Sequence, residues 1–493
     1  MAQEMLIGVD VGTTSVKAIL FDIAGGVVDR YAKPYETVHG KHGVVEQDPE
    51  LWMKHIFAAL SKFAANHDLT EVRALGLTSQ VNTHLFVDES GEALAPAIVW
   101  QDGRCAEAAA RLDEKVPVED RVRWWGAPRP IDASHCMSRM SWMSQNQPYI
   151  WEKTRWVMLP KDYCIQRLTG EAVSDQIGNL GLVDAALSPI PDLFAHVPGA
   201  AERVVPLAPM TAIAGKVRDG LPCAGVPVAV GTMDAWAGMF GIGVPGAGHA
   251  MYLSGTSEVL GILSDAVKPS PGVIVFPSYD GLTLHAGPTQ SGGESLNWCS
   301  RLLGHPPEML ARKVEALDFD APAPLFLPHL QGERAPLWDI HARGTFLGID
   351  SSAGPAEIAR GVMEGVACSA RWVQERLEVS ADMTPDAINC GGGGFKSDIW
   401  NQIRANVLDK RLKRASVGDP GVLGAAGIAA VATGLMPDLS TAFARLVQFD
   451  RVYEPDAARR GHYDRLFDLY KQAYESTKDL SHALVGLHKP EIR

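Results

Sequence analysis

Residues 5–28, MLIGVDVGTTSVKAILFDIAGGVV, place two apolar runs on either side of a polar turn, and Asp10 stands at the end of the first run. The runs have the length of buried strands, so the segment predicts a hairpin whose Gly-Thr-Thr-Ser turn lies at one end. The period then changes. Behind Pro49, apolar positions in residues 49–67 recur every three to four residues, which predicts an amphipathic helix. Residues 72–82 read as a strand running into a polar loop, and residues 92–112 as strand, turn and helix. Such alternation predicts an α/β fold.

The opening plan returns once. Gly and Pro concentrate at residues 243–249, GVPGAGH, and AMYLSGTSEVLGIL (250–263) then repeats apolar strand, Gly-Thr-Ser turn and apolar strand. The repetition predicts two related domains, 1–245 and 246–493, each opening with a hairpin whose turn faces a shared cleft, a common place for a ligand. Further on, GVLGAAGIAAVATGL (421–435) reads as a helix of small residues suited to close packing, followed by a charged amphipathic tail.

Composition narrows the class. The 493 residues carry 58 acidic and 45 basic side chains, a net charge of −13, which argues against nucleic acid or an anionic membrane as the main partner. Seven cysteines are scattered without a Cys-x-x-Cys pair, as in a reduced compartment. The start, MAQEML, turns strand-like at once and lacks the regions of a secretory signal. The stretch around 421–436 is too short and too weakly apolar for a membrane span. A cytoplasmic protein acting on a small molecule is expected, with a homodimer left open.

Several motifs carry chemistry. Backbone amides of the first turn, with the hydroxyls of Thr13, Thr14 and Ser15, can donate to phosphate oxygens, and Asp10 beside them can hold Mg²⁺ through water. A tight hairpin with a capping aspartate explains one such turn equally well, but the second turn, at Gly255-Thr256, weakens that account. Lys17 reads as an exposed strand residue. In VPVAVGTMDAWAG (226–238) a β-rich run ends in Gly-Thr, and Asp234 follows where a strand should give way to a helix. A carboxylate beyond a strand's carboxyl end can accept the proton of an attacking hydroxyl, or aim it; capping the helix is the plainer alternative.

In INCGGGGFKSDIW (388–400), four glycines, 391–394, let backbone approach a flat ligand, and the helix that follows supplies free N–H groups. Phe395 occupies the glycine position that a Walker loop needs before its lysine. GIGVPG (241–246) fits Gly-x-Gly-x-x-Gly, but Pro245 and the lack of a following helix make it a decoy for dinucleotide binding. Gln80 and Asn82 after one strand, and Trp100, Gln101 and Asp102 after the next, form a candidate polyol grip. An indole covers the carbon face of a sugar while amides and carboxylates take its hydroxyls.

In order along the chain, IGVDVGTTSVKA, AIVWQDGR, LPKDY (159–163), GTMDAW, YLSGTSEV, LPHLQGERAPLWD (327–339), GTFLGI (344–349) and CGGGGFKSDIW resemble the FGGY family of carbohydrate kinases, nearest its xylulokinase-like members, over essentially the whole length. The resemblance implies two actin-like (RNase H-like) domains flanking a deep interdomain cleft, with the sugar held by the N-terminal domain and ATP mainly by the C-terminal one. It implies transfer of the γ-phosphoryl group of ATP, with Mg²⁺, to a sugar hydroxyl. By position, Asp234 matches the family's catalytic base, Asp10 with Thr13-Thr14 the first phosphate hairpin, and Gly255-Thr256 the second. Gly392 to Gly394 match the adenosine loop, with Gly293 and Asn297 as further nucleotide contacts.

Some positions depart from the xylulokinase pattern. Val81-Asn82 fall where a Met-His pair touches the sugar, and Ala235 replaces the Asn that usually follows the catalytic Asp. Arg139 replaces a signature lysine, and Gly361 a small Ala or Ser. The phosphate chemistry survives these changes, while the sugar pocket's hydrogen-bonding inventory differs. D-xylulose or a related ketopentose is the best reading, with a pentitol or tetritol as alternatives. Two other classes are weighed as well. A non-catalytic actin-like ATP switch has no use for Asp234 or the Trp100–Asp102 loop, and a nicotinamide-dependent dehydrogenase rests only on the decoy.

Overall fold

A computed structural model describes residues 4–268, 270–318 and 320–487. The chain forms two compact units. Unit 1 comprises residues 1–243, 277–279 and 419–447; unit 2 comprises 244–276, 280–418 and 448–493. Residues 419–447, counted with the second half on sequence, thus pack with the first unit.

Unit 1 is built on β1 (Met5–Val11), β2 (Ser15–Asp22), β3 (Val27–Pro34), α1 (Pro49–Asn66), β4 (Val72–Ser79), β5 (Ile213–Lys216), β6 (Pro227–Ala229) and α2 (Asp234–Gly241). Its sheet runs β5-β6-β4-β1-β2-β3. The β1–β2 hairpin and the β2–β3 pair are antiparallel, while β4 lies parallel to β1. The interiors of β1, β2 and β4 are largely buried, which explains their near-continuous apolar runs. Helix α1 starts where Asp48 accepts from the Glu50 N–H ahead of Pro49, and it buries Trp52, Met53, Ile56, Leu60 and Phe63 at helical spacing.

Unit 2 contains β7 (His249–Ser254), β8 (Glu258–Ser264), β9 (Thr283–Pro288), α3 (Gly293–Leu303), α4 (Pro307–Glu315), α5 (Pro355–Ala381), β10 (Ala387–Gly391), α6 (Asp398–Leu408) and β11 (Arg411–Ala415). Helix α7 (Pro420–Ala432) then belongs to unit 1, and β12 (Phe449–Tyr453) and α8 (Arg460–Leu487) belong to unit 2. The second sheet runs β9-β8-β7-β10-β11-β12, with a short strand, Ile274–Val275, beside β9. Here too the hairpin β7–β8 and its neighbour β9 are antiparallel, and β10 is parallel to the first strand of the hairpin. The two sheets therefore share one plan, and the repeat visible in the sequence is a repeat of topology.

Helix α7 explains its own composition. A Cβ at Gly8 in β1 would overlap the Val422 carbonyl, one at Gly76 in β4 that of Ala425, and one at Gly241 in α2 that of Pro420. Gly424 of the helix meets the Ala237 carbonyl in the same way. Glycines on both sides thus bring α7 against the hairpin and α2 at backbone distance, which sets Asp419 and the start of α7 beside Asp10. Among the described residues no helix is long and apolar enough to cross a membrane.

Candidate active site

In unit 1 the turn is closed by the Gly12 N–H donating to the Ser15 carbonyl at 3.1 Å. Gln47 Nε2 donates to the Thr13 carbonyl at 2.7 Å, and the Tyr35 hydroxyl donates to the Gly12 carbonyl. Trp100 donates its indole N–H to Thr13 Oγ1 at 3.1 Å, so the candidate sugar loop and the candidate phosphate turn touch directly. Gln80 is buried, with Nε2 on Gln47 Oε1 at 2.7 Å and Oε1 shielded but unpartnered.

Asp10 ends β1 opposite Lys17 in the hairpin register. Its Oδ1 is shielded from solvent and lacks a hydrogen-bond partner. Burial, then the nearby Asp234 carboxylate, push its pKa up to about 7 against the pull of Lys17. Asp234 opens α2 and accepts from the Ala235 N–H at 2.8 Å; burial raises its pKa to about 6. Lys17 is not a free surface residue: it pairs with Asp419 at 2.8 Å. Burial opposes its charge, but Asp419 and Asp10 outweigh burial and hold the ammonium above its usual range. Two acids with raised pKa values and a lysine thus share one place, a common mark of a reactive site.

Other predicted residues are placed differently. Asp102 is fully buried and accepts from the Val45 N–H at 2.6 Å and from the Arg104 guanidinium at 2.7 Å, so its carboxylate shapes its loop instead of facing a ligand. Trp100 is 44% exposed. Asn82 adopts φ 54°, a left-handed conformation that asparagine tolerates, and faces Ser134 Oγ at 3.4 Å; Val81 beside it is half-buried.

In unit 2, Gly255, Thr256, Gly293, Asn297, Gly393 and Gly394 line one cavity of about 610 Å³, within the size range of nucleotide and cofactor sites. The Gly293 and Glu294 N–H groups donate to the Gly255 and Thr256 carbonyls at 2.8 and 3.2 Å, stacking the start of α3 on the turn. The glycines divide their labour. Gly392 has φ 94°, and its Cβ would crowd the Ser254 carbonyl, while one at Gly394 would overlap the Ser254 hydroxyl. Gly393 faces open space, so a ligand can approach its backbone.

Sequence reasoning missed the charges behind these surfaces. In unit 2, Arg404 and Glu258 form a fully buried pair at 2.8 Å. Tyr252 and Ser254 donate to the same carboxylate at 2.6 and 2.8 Å, and Arg404 also donates to the Gly394 carbonyl at 2.9 Å. In unit 1, Lys161 of the LPKDY motif is buried between Asp162 and Asp175, at 2.6 and 2.9 Å. An acid or a lysine inside an apolar run was the available signal, because such a charge requires a partner when buried.

Comparison with known proteins agrees with this duplicated kinase-type architecture. Residues 5–241 match the N-terminal domain model, and residues 250–433 the C-terminal domain model, of the FGGY family of carbohydrate kinases. A xylulose kinase from Escherichia coli is 31% identical over 96% of this chain and 99% of its own. A solved structure described as a xyloylose kinase from Brucella ovis superposes with a TM-score of 0.85 at 29% identity, covering 97% of this chain and 100% of that one. A gluconate kinase from Lactobacillus acidophilus gives the same TM-score at 26% identity, covering 97% of this chain and 98% of that one. The chain belongs to the FGGY family of carbohydrate kinases, and so is an ATP-dependent kinase of a small sugar.

Proposed function

We propose that the chain transfers the γ-phosphoryl group of ATP to a hydroxyl of D-xylulose or a related ketopentose, with Asp234 as the base. Unit 1 takes the sugar and unit 2 the nucleotide. The observation that carries this reading is the pair Asp10 and Asp234 at strand and helix ends of one unit, both raised toward neutrality. A base near its operating pH accepts the hydroxyl proton as the oxygen attacks phosphorus. Gln80, Asn82 and Trp100 line the sugar's approach, and Asp102 holds the Trp100 loop in shape. Gly255, Thr256, Gly293, Asn297 and Gly393 receive the nucleotide, with Gly392 and Gly394 fixing their loop.

Mg²⁺ fits this site in one manner. Among the described residues no group of three or more His, Cys, Asp or Glu side chains is arranged to hold a metal alone. Asp10, with its unpartnered Oδ1, would hold the ion through water alongside the ATP phosphates, where it would neutralise phosphate charge. The first turn's amides and the hydroxyls of Thr13, Thr14 and Ser15 would donate to phosphate oxygens. A cytoplasmic location accords with ATP as donor, and light scattering reads whether a homodimer forms.

Replacing Asp234 with Asn should lower kcat by about 10²–10⁴-fold while ADP binding, read by calorimetry, persists. Near-normal turnover would remove Asp234 from its role. Because Asp10 and Asp234 interact, the acid limb of kcat/KM belongs to the pair; it should rise through about pH 6, as the carboxylate must be ionised to accept a proton. A panel of ketopentoses, pentitols, tetritols and gluconate, read by ADP release, identifies the sugar. Strong preference for a pentitol or tetritol would overturn the ketopentose assignment and leave the kinase.

A further inference from the structure

The link between β6 and α2 is held from behind by side chains that never reach the site surface. Gly231, at φ 67° and against the Leu77 carbonyl, turns the chain, and Thr232-Met233 then pair in parallel with Thr78-Ser79 of β4. Asp234 follows directly. Lys161 Nζ, fully buried, faces three acceptors: Asp162 Oδ1 at 2.6 Å, Asp175 Oδ1 at 2.9 Å and the Val230 carbonyl at 3.3 Å. The contacts with Asp162 and Val230 are hydrogen bonds, and that with Asp175 is an ion pair. Asp175 Oδ2 in turn accepts from the Thr232 hydroxyl at 2.7 Å and from the Gly178 N–H at 2.9 Å. From the other side, Thr78 Oγ1 donates to the Thr232 carbonyl at 2.7 Å, and the Ser79 hydroxyl accepts from the Lys161 N–H at 3.1 Å.

We infer that Thr232 and Asp175, anchored on the buried Lys161, are positioning residues that set where Asp234 begins its helix and hence where its carboxylate points. Two of the four residues before Asp234 are fixed by this network, Val230 through its carbonyl and Thr232 through both side chain and backbone. Buried charges of this kind seldom add net stability, since removing them from water offsets much of their attraction, so their benefit here is one of placement. The backbone N–H of the same lysine reaches the hydroxyl of Ser79, next to Gln80. Misplacing a reacting group by about 1 Å costs on the order of 10²-fold in rate.

This inference rests on Asp234 as the base, and the test separates the two. Thr232→Val keeps the shape and removes the hydroxyl that donates to Asp175. Its kcat should fall about tenfold or more with the KM for ATP unchanged, and the share of ADP released without sugar phosphate should rise, because the hydroxyl is no longer aimed. Thr232→Ser should restore both readings to within about twofold. A purely structural role would lower the melting temperature of Thr232→Val while leaving kcat and the coupling ratio at 25 °C unchanged, and that result would overturn the inference. Should Thr232→Val not accumulate as folded protein, Thr78→Val loosens the same segment from the opposite side and is read identically. Asp234→Asn, measured alongside, keeps the failures distinct. If it retains turnover, the base assignment falls; if it loses turnover while Thr232→Val does not, only the positioning role falls.

Discussion

Asp10 ends the first hairpin's leading strand with one oxygen shielded from water and unpartnered, near a second acid and a half-buried lysine. Glu258, just past the corresponding turn of unit 2, is fully enclosed and takes hydrogen bonds from Arg404, Tyr252 and Ser254. Two sheets of one topology have thus been given opposite electrostatics. Unit 2 has its charge satisfied from within, and Gly255 and Gly393 line its cavity. Unit 1 leaves its charge unsatisfied, a state that disfavours folding but is what proton transfer and phosphate chemistry require.

The contrast breaks most visibly in unit 2. Removing Arg404 leaves Glu258 buried and unpaired, and the loss of one partner of such a pair costs about 3–5 kcal/mol. Arg404→Leu should therefore lower the melting temperature strongly, and it should weaken ADP binding because Arg404 also holds the Gly394 carbonyl. Asp234→Asn should do neither. If Arg404→Leu melts and binds ADP like the parent chain, the pair is not what stiffens the nucleotide loop.

A smaller effect probes how unit 1 holds its charges together. Gly76→Ala drives a methyl into the Ala425 carbonyl of α7, and overpacking of this kind costs about 1–3 kcal/mol. The helix should be displaced from β4, taking Asp419 away from Lys17. Turnover should fall while ADP binding in unit 2 stays near normal, read by calorimetry beside a melting curve. Equal loss in both would mean that α7 serves stability alone.

How much of this was legible follows from the distance over which each signal acts. Hairpins, glycine turns and the Asp234 helix start are local, and the sequence carried them in runs of about a dozen residues. The repeat was legible for the same reason. Partners far apart in the chain were not: Lys17 meets Asp419, Thr232 meets Asp175, and Arg404 meets Glu258. Asp102 looked like a ligand because it sits in a polar loop, but Arg104, two residues on, and the Val45 amide claim its carboxylate. The composition of α7 showed that something packs closely, without saying that the surface it packs on lies at residues 8, 76 and 241.

The most delicate comparison is in pH. Asp10 and Asp234 bind their protons more tightly folded than unfolded, since burial, and for Asp10 also the neighbouring acid, lift both above the ordinary 3.8. Between about pH 4 and about pH 7 the folded chain then holds more protons than the unfolded one, so stability falls as pH rises through that window. Burial also holds Glu258 above its ordinary range, against the pull of Arg404, Tyr252 and Ser254. Asp10→Asn should accordingly gain on the parent chain from about pH 4 upward, level off above about pH 7, and lose its advantage in more acidic buffer. Even about 1 kcal/mol of relief would appear as a rise of about 2–4 °C in the melting temperature of unit 1. A difference between the two chains that is flat from pH 4 to pH 8 would mean that Asp10 is not held above its ordinary range, and the unsatisfied charge that distinguishes unit 1 from unit 2 would have to be sought elsewhere.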